Sequence, residues 1–200
     1  MKRAFDLALA GVGLLASMPL WAAVAAAVKL EDGGPVFFSQ ERVGLNGRVF
    51  RAFKFRSMIP DAEAKTGPVQ AAAHDPRVTR VGRFLRRYKL DELPQLLNVL
   101  AGEMSVVGPR PEVSRYVAMF PERFARVLET RPGLTDYAAL EYLDEEAVLA
   151  ASADPEHAYV DQVLPAKLDL YDRYLAEQSL ATDLRLIART FFAILKRSDG

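Results

Sequence analysis

The chain has 200 residues, half of them hydrophobic, and its 26 basic and 26 acidic side chains cancel to zero formal charge. A chain of this size buries one sizeable core and is most simply a single domain, and balanced charge gives no global field to recruit nucleic acid. It has no cysteine, and its two histidines, His74 and His157, stand far apart, which excludes a disulfide framework, cysteine chemistry and a histidine metal cluster.

The membrane-length apolar run covers residues 5–28, and GLLASMPLWAAV lies at its middle. As one straight helix its roughly 24 residues reach about 36 Å, enough to cross a hydrocarbon core of about 30 Å. Pro19 has no N–H for the carbonyl of Leu15 and crowds it, so a sharp bend is expected between two halves each too short to span. Ser17 suits that bend, because its hydroxyl can bond the carbonyl of Gly13 or Leu14. Lys2 and Arg3 before the run and Lys29 after it favour keeping both ends in the cytoplasm. The pattern fits a hairpin entering one leaflet and returning. A kinked single span competes with it, as does a secretory signal, for which the run is long, and a buried core helix, for which it is too apolar.

Residues 36–55 read VFFSQERVGLNGRVFRAFKF. Two runs rich in Val and Phe flank Asn46-Gly47, the dipeptide of tight two-residue turns, and predict a β-hairpin. Arg48, Arg51, Lys54 and Arg56 punctuate its second strand, either as a solvated face or as a basic surface for headgroups or phosphates, with Lys54 the candidate substrate contact. Residues 60–76, rich in Ala, Gly and Pro, read as a short helix and mobile loop.

Next comes DPRVTRVGRFLRRYKLDELPQLLNVLAGEMSVVGPRPEV. Residues 79–88 predict a basic segment that packs Val81, Phe84 and Leu85 and turns its arginines outward. A second helix is expected from Asp91, with Asp91 as N-cap, Pro94 in the first turn and Gly102 ending it. Asp91 and Glu92 would then stand where a helix presents free N–H groups, a place that also suits phosphate. Adjacent acids at a helix start are ordinarily only capping residues. Here Arg86 precedes them and Gly108-Pro109-Arg110-Pro111 follows as a stiff turn, so cations on both sides of the carboxylates point to an anionic substrate. Adjacent acids rarely face each other across a bond, which disfavours glycosidase chemistry.

KRAFDLALA, QERVGLNGRVFRAFKFRSM and the long stretch quoted above resemble the bacterial sugar transferases, also called monotopic phosphoglycosyl transferases. The resemblance covers residues 2–131, with a weaker echo in SLATDLRLIARTFFAIL. It implies transfer of a sugar-1-phosphate from a UDP-sugar to polyprenyl (undecaprenyl) phosphate, with Mg²⁺ and release of UMP, through an aspartyl-phosphosugar. By the same resemblance Asp91 is the nucleophile, Glu92 its partner at the metal, and Arg86 and Arg110 contact phosphate. It also implies a re-entrant helix broken at Ser17 and Pro19, on the cytoplasmic leaflet of the bacterial inner membrane. The chemistry is physically coherent, since a carboxylate approaching a diphosphate meets about 4 kcal/mol of repulsion per unit-charge pair at about 4 Å and needs such cations.

The resulting expectation is an α+β, mainly helical chain: a re-entrant helix-break-helix over residues 1–30, and a catalytic domain over 31–200 with one β-hairpin packed on amphipathic interfacial helices. RPGLTDYAALEYLDEEAVLA lacks the Gly-Leu-Trp-Gln continuation of many larger relatives, and no extra N-terminal bundle precedes it, as in a minimal member. Tyr88-Lys89 replaces the small hydroxyl residues often found before the acid pair. Residues 179–197 form an amphipathic helix with Leu184, Ile187, Phe191, Ile194 and Leu195, for which core packing and membrane contact are both open. A homodimer is left open, no nucleic-acid partner is expected, and the rival to an enzyme is a non-catalytic membrane-bound protein that holds lipid phosphate or a partner.

Overall fold

The computed structural model describes residues 1–62 and 75–196. Most of the helix and loop expected over residues 60–76 therefore lies outside the described residues, as does residue 197 of the last helix. The architecture is mainly helical with two small sheets.

Helix α1 (Lys2–Asp32) is long and apolar enough to cross a membrane by length and composition. Pro19 lies inside it and does not divide it into two helices, contrary to the expected helix-break-helix. Proline removes only its own N–H bond, and nearby side chains occupy backbone and each other: Ser17 Oγ donates to Leu14 O at 3.2 Å and accepts from Trp21 Nε1 at 3.0 Å. Both ends of α1 are tied to the same body. At the start, Lys2 Nζ meets Asp183 Oδ2 at 2.5 Å, Arg3 Nη1 donates to Val99 O at 2.6 Å, and buried Asp6 accepts from Val106 N at 3.0 Å. At the finish, Glu31 accepts from Arg80 N at 2.7 Å and Asp32 pairs with Arg56. Between them Val12, Leu15 and Met18 are exposed.

Strands β1 (Phe37–Val43) and β2 (Val49–Phe55) form the expected antiparallel hairpin. Val43 pairs with Val49, so the connection is residues 44–48 and not a two-residue turn. Asn46 (φ 55°) and Gly47 (φ 75°) still take the left-handed conformations that the dipeptide tolerates. The longer loop lets Asn46 N reach Leu128 O at 2.7 Å. Helix α2 (Arg80–Arg87) starts at Thr79, whose Oγ1 accepts from Gly82 N at 2.9 Å. Leu85 is buried as expected, but Phe84 is exposed and stacks only on Tyr88, one turn along at the same surface.

Helix α3 (Gln95–Ala101) ends at Gly102 (φ 88°), as read from the sequence. Strand β3 (Ser105–Val107) then pairs in parallel with β4 (Gly133–Thr135), a second sheet that the sequence reading did not anticipate. Between them lie α4 (Ser114–Met119) and α5 (Pro121–Val127); after them come α6 (Tyr137–Glu141), α7 (Glu145–Ala150) and α8 (Pro155–Ala158). One π-helical turn leads into α9 (Leu164–Glu177), and α10 (Leu180–Lys196) follows. The chain after β3 touches the chain before β4 so closely that a Cβ on Gly133 would lie 2.1 Å from Gly108 N, so both must be glycine to seat the Pro109-Arg110-Pro111 turn.

The interior divides into three clusters. One joins α4, α5 and α9 through Tyr116, Phe124, Leu168 and Tyr171; a second gathers Ala10, Phe50, Val99, Met104, Tyr174 and Leu186; a third packs Val24 and Val28 of α1 on Phe55 and Leu85. Helix α1 thus contributes to two of the three. On α10 the core contact falls to Leu186, while Leu184, Phe191, Phe192 and Leu195 stay exposed.

Candidate active site

A cavity of about 1130 Å³ opens between the hairpin, the acid pair and α10. Strand alternation aims Lys54 inward on the face that carries Phe50 and Ala52. Asp91 and Glu92 occupy a 3₁₀ turn (Leu90–Glu92) entered through Lys89 in the left-handed conformation (φ 55°). The turn after β3 supplies Arg110, and the end of α2 supplies Arg86; all five line the cavity. Ser17 and Pro19 do not.

Glu92 is the centre of the cationic group. Arg110 Nη1 donates to its Oε2 at 2.9 Å and Nη2 to its Oε1, and Lys54 Nζ stands 3.1 Å from Oε1. Burial pushes the Glu92 carboxyl up, but Arg110 and Lys54 outweigh it and hold it well below the usual range. The same burial pulls Lys54 down, with Glu92 opposing. Asp91 is 5% exposed, and its Oδ1 accepts no hydrogen bond from the described residues. Burial raises its pKa, Lys54 pulls it back and Glu92 adds to the rise. Side by side, one carboxylate is saturated and the other has an open oxygen.

The expected cap is corrected here. Asp91 does not cap α3, because the 3₁₀ turn comes first and Pro94 takes the cap position. Two of the nearby N–H groups are used within the turn, Glu92 N donating to Lys89 O and Leu93 N to Leu90 O. Arg86 is close enough to lower Asp91 and is itself paired, its Nε 2.9 Å from Glu146 Oε1, while its buried Nη1 has no hydrogen-bond partner among the described residues. Of the hairpin cations, Arg48 and Arg51 are exposed, whereas Arg56 is buried in a structural pair with Asp32 and donates to Pro35 O at 2.5 Å.

The sequence reading missed Glu112, Glu145, Glu146 and Lys167, which also line the cavity. Only Glu112 carried a local signal, as the residue directly after Pro111 in the stiff turn. No group of three or more His, Cys, Asp or Glu that could hold a metal ion forms among the described residues.

An acid held by two cations, an acid with a free oxygen and three cations in all thus line one cavity, an arrangement chemically suited to an anionic group. A family model described as bacterial sugar transferase matches residues 1–197, and the chain belongs to that family. It is 47% identical over 147 residues to the undecaprenyl-phosphate glucose phosphotransferase of Komagataeibacter xylinus, covering 70% of this chain and 27% of that protein. It is 38% identical over 193 residues to the UDP-glucose:undecaprenyl-phosphate glucose-1-phosphate transferase of Xanthomonas campestris pv. campestris, covering 95% of this chain and 38% of that protein. The exopolysaccharide production protein PSS of Rhizobium leguminosarum bv. phaseoli is 39% identical over 207 residues, spanning 100% of this chain and 98% of the relative. The chain thus spans less than half the length of the first two relatives and nearly all of the third.

Proposed function

We propose that the chain transfers a sugar-1-phosphate from a UDP-sugar to polyprenyl phosphate, undecaprenyl phosphate being the acceptor named in the relatives, and releases UMP. This would be the first membrane step in assembling a glycoconjugate such as O-antigen, capsule or exopolysaccharide. The observation that carries the reading is the open Oδ1 of buried Asp91 beside a Glu92 already clamped by Arg110 and Lys54.

Asp91 Oδ1 attacks the phosphorus that bears the sugar. A carboxyl–phosphorus bond forms, the bond from that phosphorus to the bridging oxygen breaks, and UMP leaves with the electron pair. An oxygen of the polyprenyl phosphate then attacks the same phosphorus and displaces the Asp91 carboxylate. Because that acceptor is already anionic, no strong general base is needed. Arg110 and Lys54 together outweigh Glu92 by one positive charge, and Arg86 has an unused N–H for a phosphate oxygen.

Magnesium fits the site through Asp91, since Mg²⁺ is commonly held by one or two carboxylates plus substrate phosphates. Glu92, the other residue expected at the metal, accepts two hydrogen bonds on Oε1 and one on Oε2, so its contact with the ion would fall on Oε2. When bound, the ion would offset the diphosphate charge.

The two-ended attachment of α1 supports a re-entrant dip, with residues 1–30 in the cytoplasmic leaflet and the remaining residues on the cytoplasmic face. A straight span would carry its ends about 30 Å apart to opposite sides, whereas here Lys2 and Asp32 hold one body. The test of function is UMP release by the chain in a membrane mimic with a panel of UDP-sugars. Release should require both Mg²⁺ and polyprenyl phosphate, and Asp91→Asn should lower it by about three orders of magnitude or more. Release of UDP would instead identify an ordinary glycosyltransferase. Lipid-phosphate binding with no UDP-sugar consumed would identify a silent membrane-bound binder.

A further inference from the structure

The cavity has a second polar end that the chemistry above leaves unused. Glu112 is 3% exposed and lines the cavity beyond Arg110. Its Oε1 accepts from Tyr159 OH at 2.5 Å, and its backbone carbonyl accepts from Val43 N at 2.8 Å, so the residue is pinned from two sides. Its Oε2 accepts no hydrogen bond from the described residues. Arg42 Nη1 stands 3.6 Å from that oxygen and donates to Pro111 O instead. Lys167, also 3% exposed, lies 4.0 Å from Glu112 Oε1 and donates to Glu145 Oε2 at 2.6 Å.

A buried acceptor without a hydrogen bond is costly even beside a cation, and a ligand that donates a proton to it recovers that loss. Phosphate cannot do so, and it would meet Glu112 and Glu145 where the other end offers Lys54, Arg86 and Arg110. A neutral hydroxyl can: its O–H satisfies Oε2, and a neighbouring oxygen can accept from the Lys167 ammonium. Arg110 and Glu112 are two residues apart around Pro111, so their Cα atoms are at most about 7 Å apart. With Arg110 at a sugar-1-phosphate, Glu112 would lie within reach of the attached hexose.

We propose that Glu112, held by Tyr159 and flanked by Lys167, accepts a hydroxyl of the transferred hexose and so selects which UDP-sugar is used. This rests on the sugar-1-phosphate transferase reading. The probe is whichever of UDP-glucose, UDP-galactose, UDP-N-acetylglucosamine and UDP-N-acetylgalactosamine the wild-type chain converts fastest to UMP. Glu112→Gln should raise its KM about tenfold or more while kcat changes less than about threefold, and should leave inhibition by UDP unchanged. Since the variant can also unsettle Lys167, wild type is assayed in parallel with the same UDP-hexose deoxygenated singly at C3, C4 or C6, and at C2 where that carbon bears a hydroxyl. One deoxy analogue should lose about tenfold or more in kcat/KM and lose nothing further in Glu112→Gln. An unchanged KM, an equal loss of UDP binding (which would place the hydroxyl on the ribose), or indifference to every deoxygenation overturns the proposal. If none of the four UDP-hexoses yields UMP with wild type, the transferase reading itself falls, and that failure is seen before any variant is made.

Discussion

Arg110 places its two terminal nitrogens on the two carboxylate oxygens of Glu92, with Lys54 Nζ sharing Oε1. The fork fits because the Gly108–Gly133 approach fixes the turn that carries Arg110. Arg110→Lys keeps the charge but cannot span both oxygens. Losing a charge-assisted bond of about 1.5–3 kcal/mol should lower kcat/KM about 10- to 100-fold. Arg110→Ala leaves Glu92 with Lys54 alone and should destabilise the fold by about 2 kcal/mol, less than for a wholly orphaned buried charge. Initial rates and denaturant unfolding check both, and wild-type kcat/KM in Arg110→Lys would remove the fork from the mechanism.

Asp136 links the fold to pH. Its Oδ1 caps α6 by accepting from Ala139 N at 2.6 Å, and its buried Oδ2 has no hydrogen-bond partner among the described residues. Burial pushes the carboxyl up from 3.8 to about 6, although the Ala139 N–H, Lys167 and Arg110 pull the other way. Between those values the folded chain keeps a proton that the unfolded chain has released. Stability from this group is therefore highest below the unfolded pKa and falls as pH rises to about 6, by about 3 kcal/mol in all. Asp136→Asn keeps the cap without the titration. Unfolding midpoints at pH 4, 5, 6 and 7 should show the variant level with wild type at the acid end and more stable at pH 7. Parallel curves would refute it.

Long and local features were legible before the structure: the apolar length of α1, the Asn46-Gly47 reversal and the glycine stop at Gly102 each rest on a few neighbouring residues. The acid pair and its flanking arginines were legible as a motif, because Asp91, Glu92, Arg86 and Arg110 lie within one quoted stretch. The β3–β4 pair was not, since three-residue strands carry no measurable period. Nor was the meeting of Lys167 with Glu145, 22 residues apart, or of Lys54 with Glu92, 38 apart, which only tertiary packing creates. Asp91 as an N-cap failed because propensity cannot see that Lys89 turns left-handed and forces a 3₁₀ turn first.

The topology of α1 can be read chemically because the chain has no cysteine of its own. One cysteine is placed after Met1 in one variant, and Leu30→Cys, at an exposed position, makes another. A membrane-impermeant maleimide should leave both unlabelled in intact spheroplasts and label both in inverted vesicles. Labelling of one end from each side would establish a span and end the re-entrant reading, whatever the enzyme assays show.

Helix α10 leaves Leu184, Phe191, Phe192 and Leu195 exposed while Leu186 and Asp183 are buried, and Thr190 meets Thr135 across Oγ atoms 2.6 Å apart. If this apolar stripe meets the headgroup–acyl boundary, Arg189 on the neighbouring exposed side should face water or phosphate. Leu184→Cys and Arg189→Cys, about 140° apart around the helix and each carrying a nitroxide, separate this from a solvent-exposed helix, since neither position lines the cavity. In bilayers the label at 184 should collide more with oxygen, which concentrates in lipid, than with a water-soluble nickel chelate, and the label at 189 should show the reverse. Equal nickel access at both positions would place α10 in water and leave α1 as the sole membrane contact among the described helices.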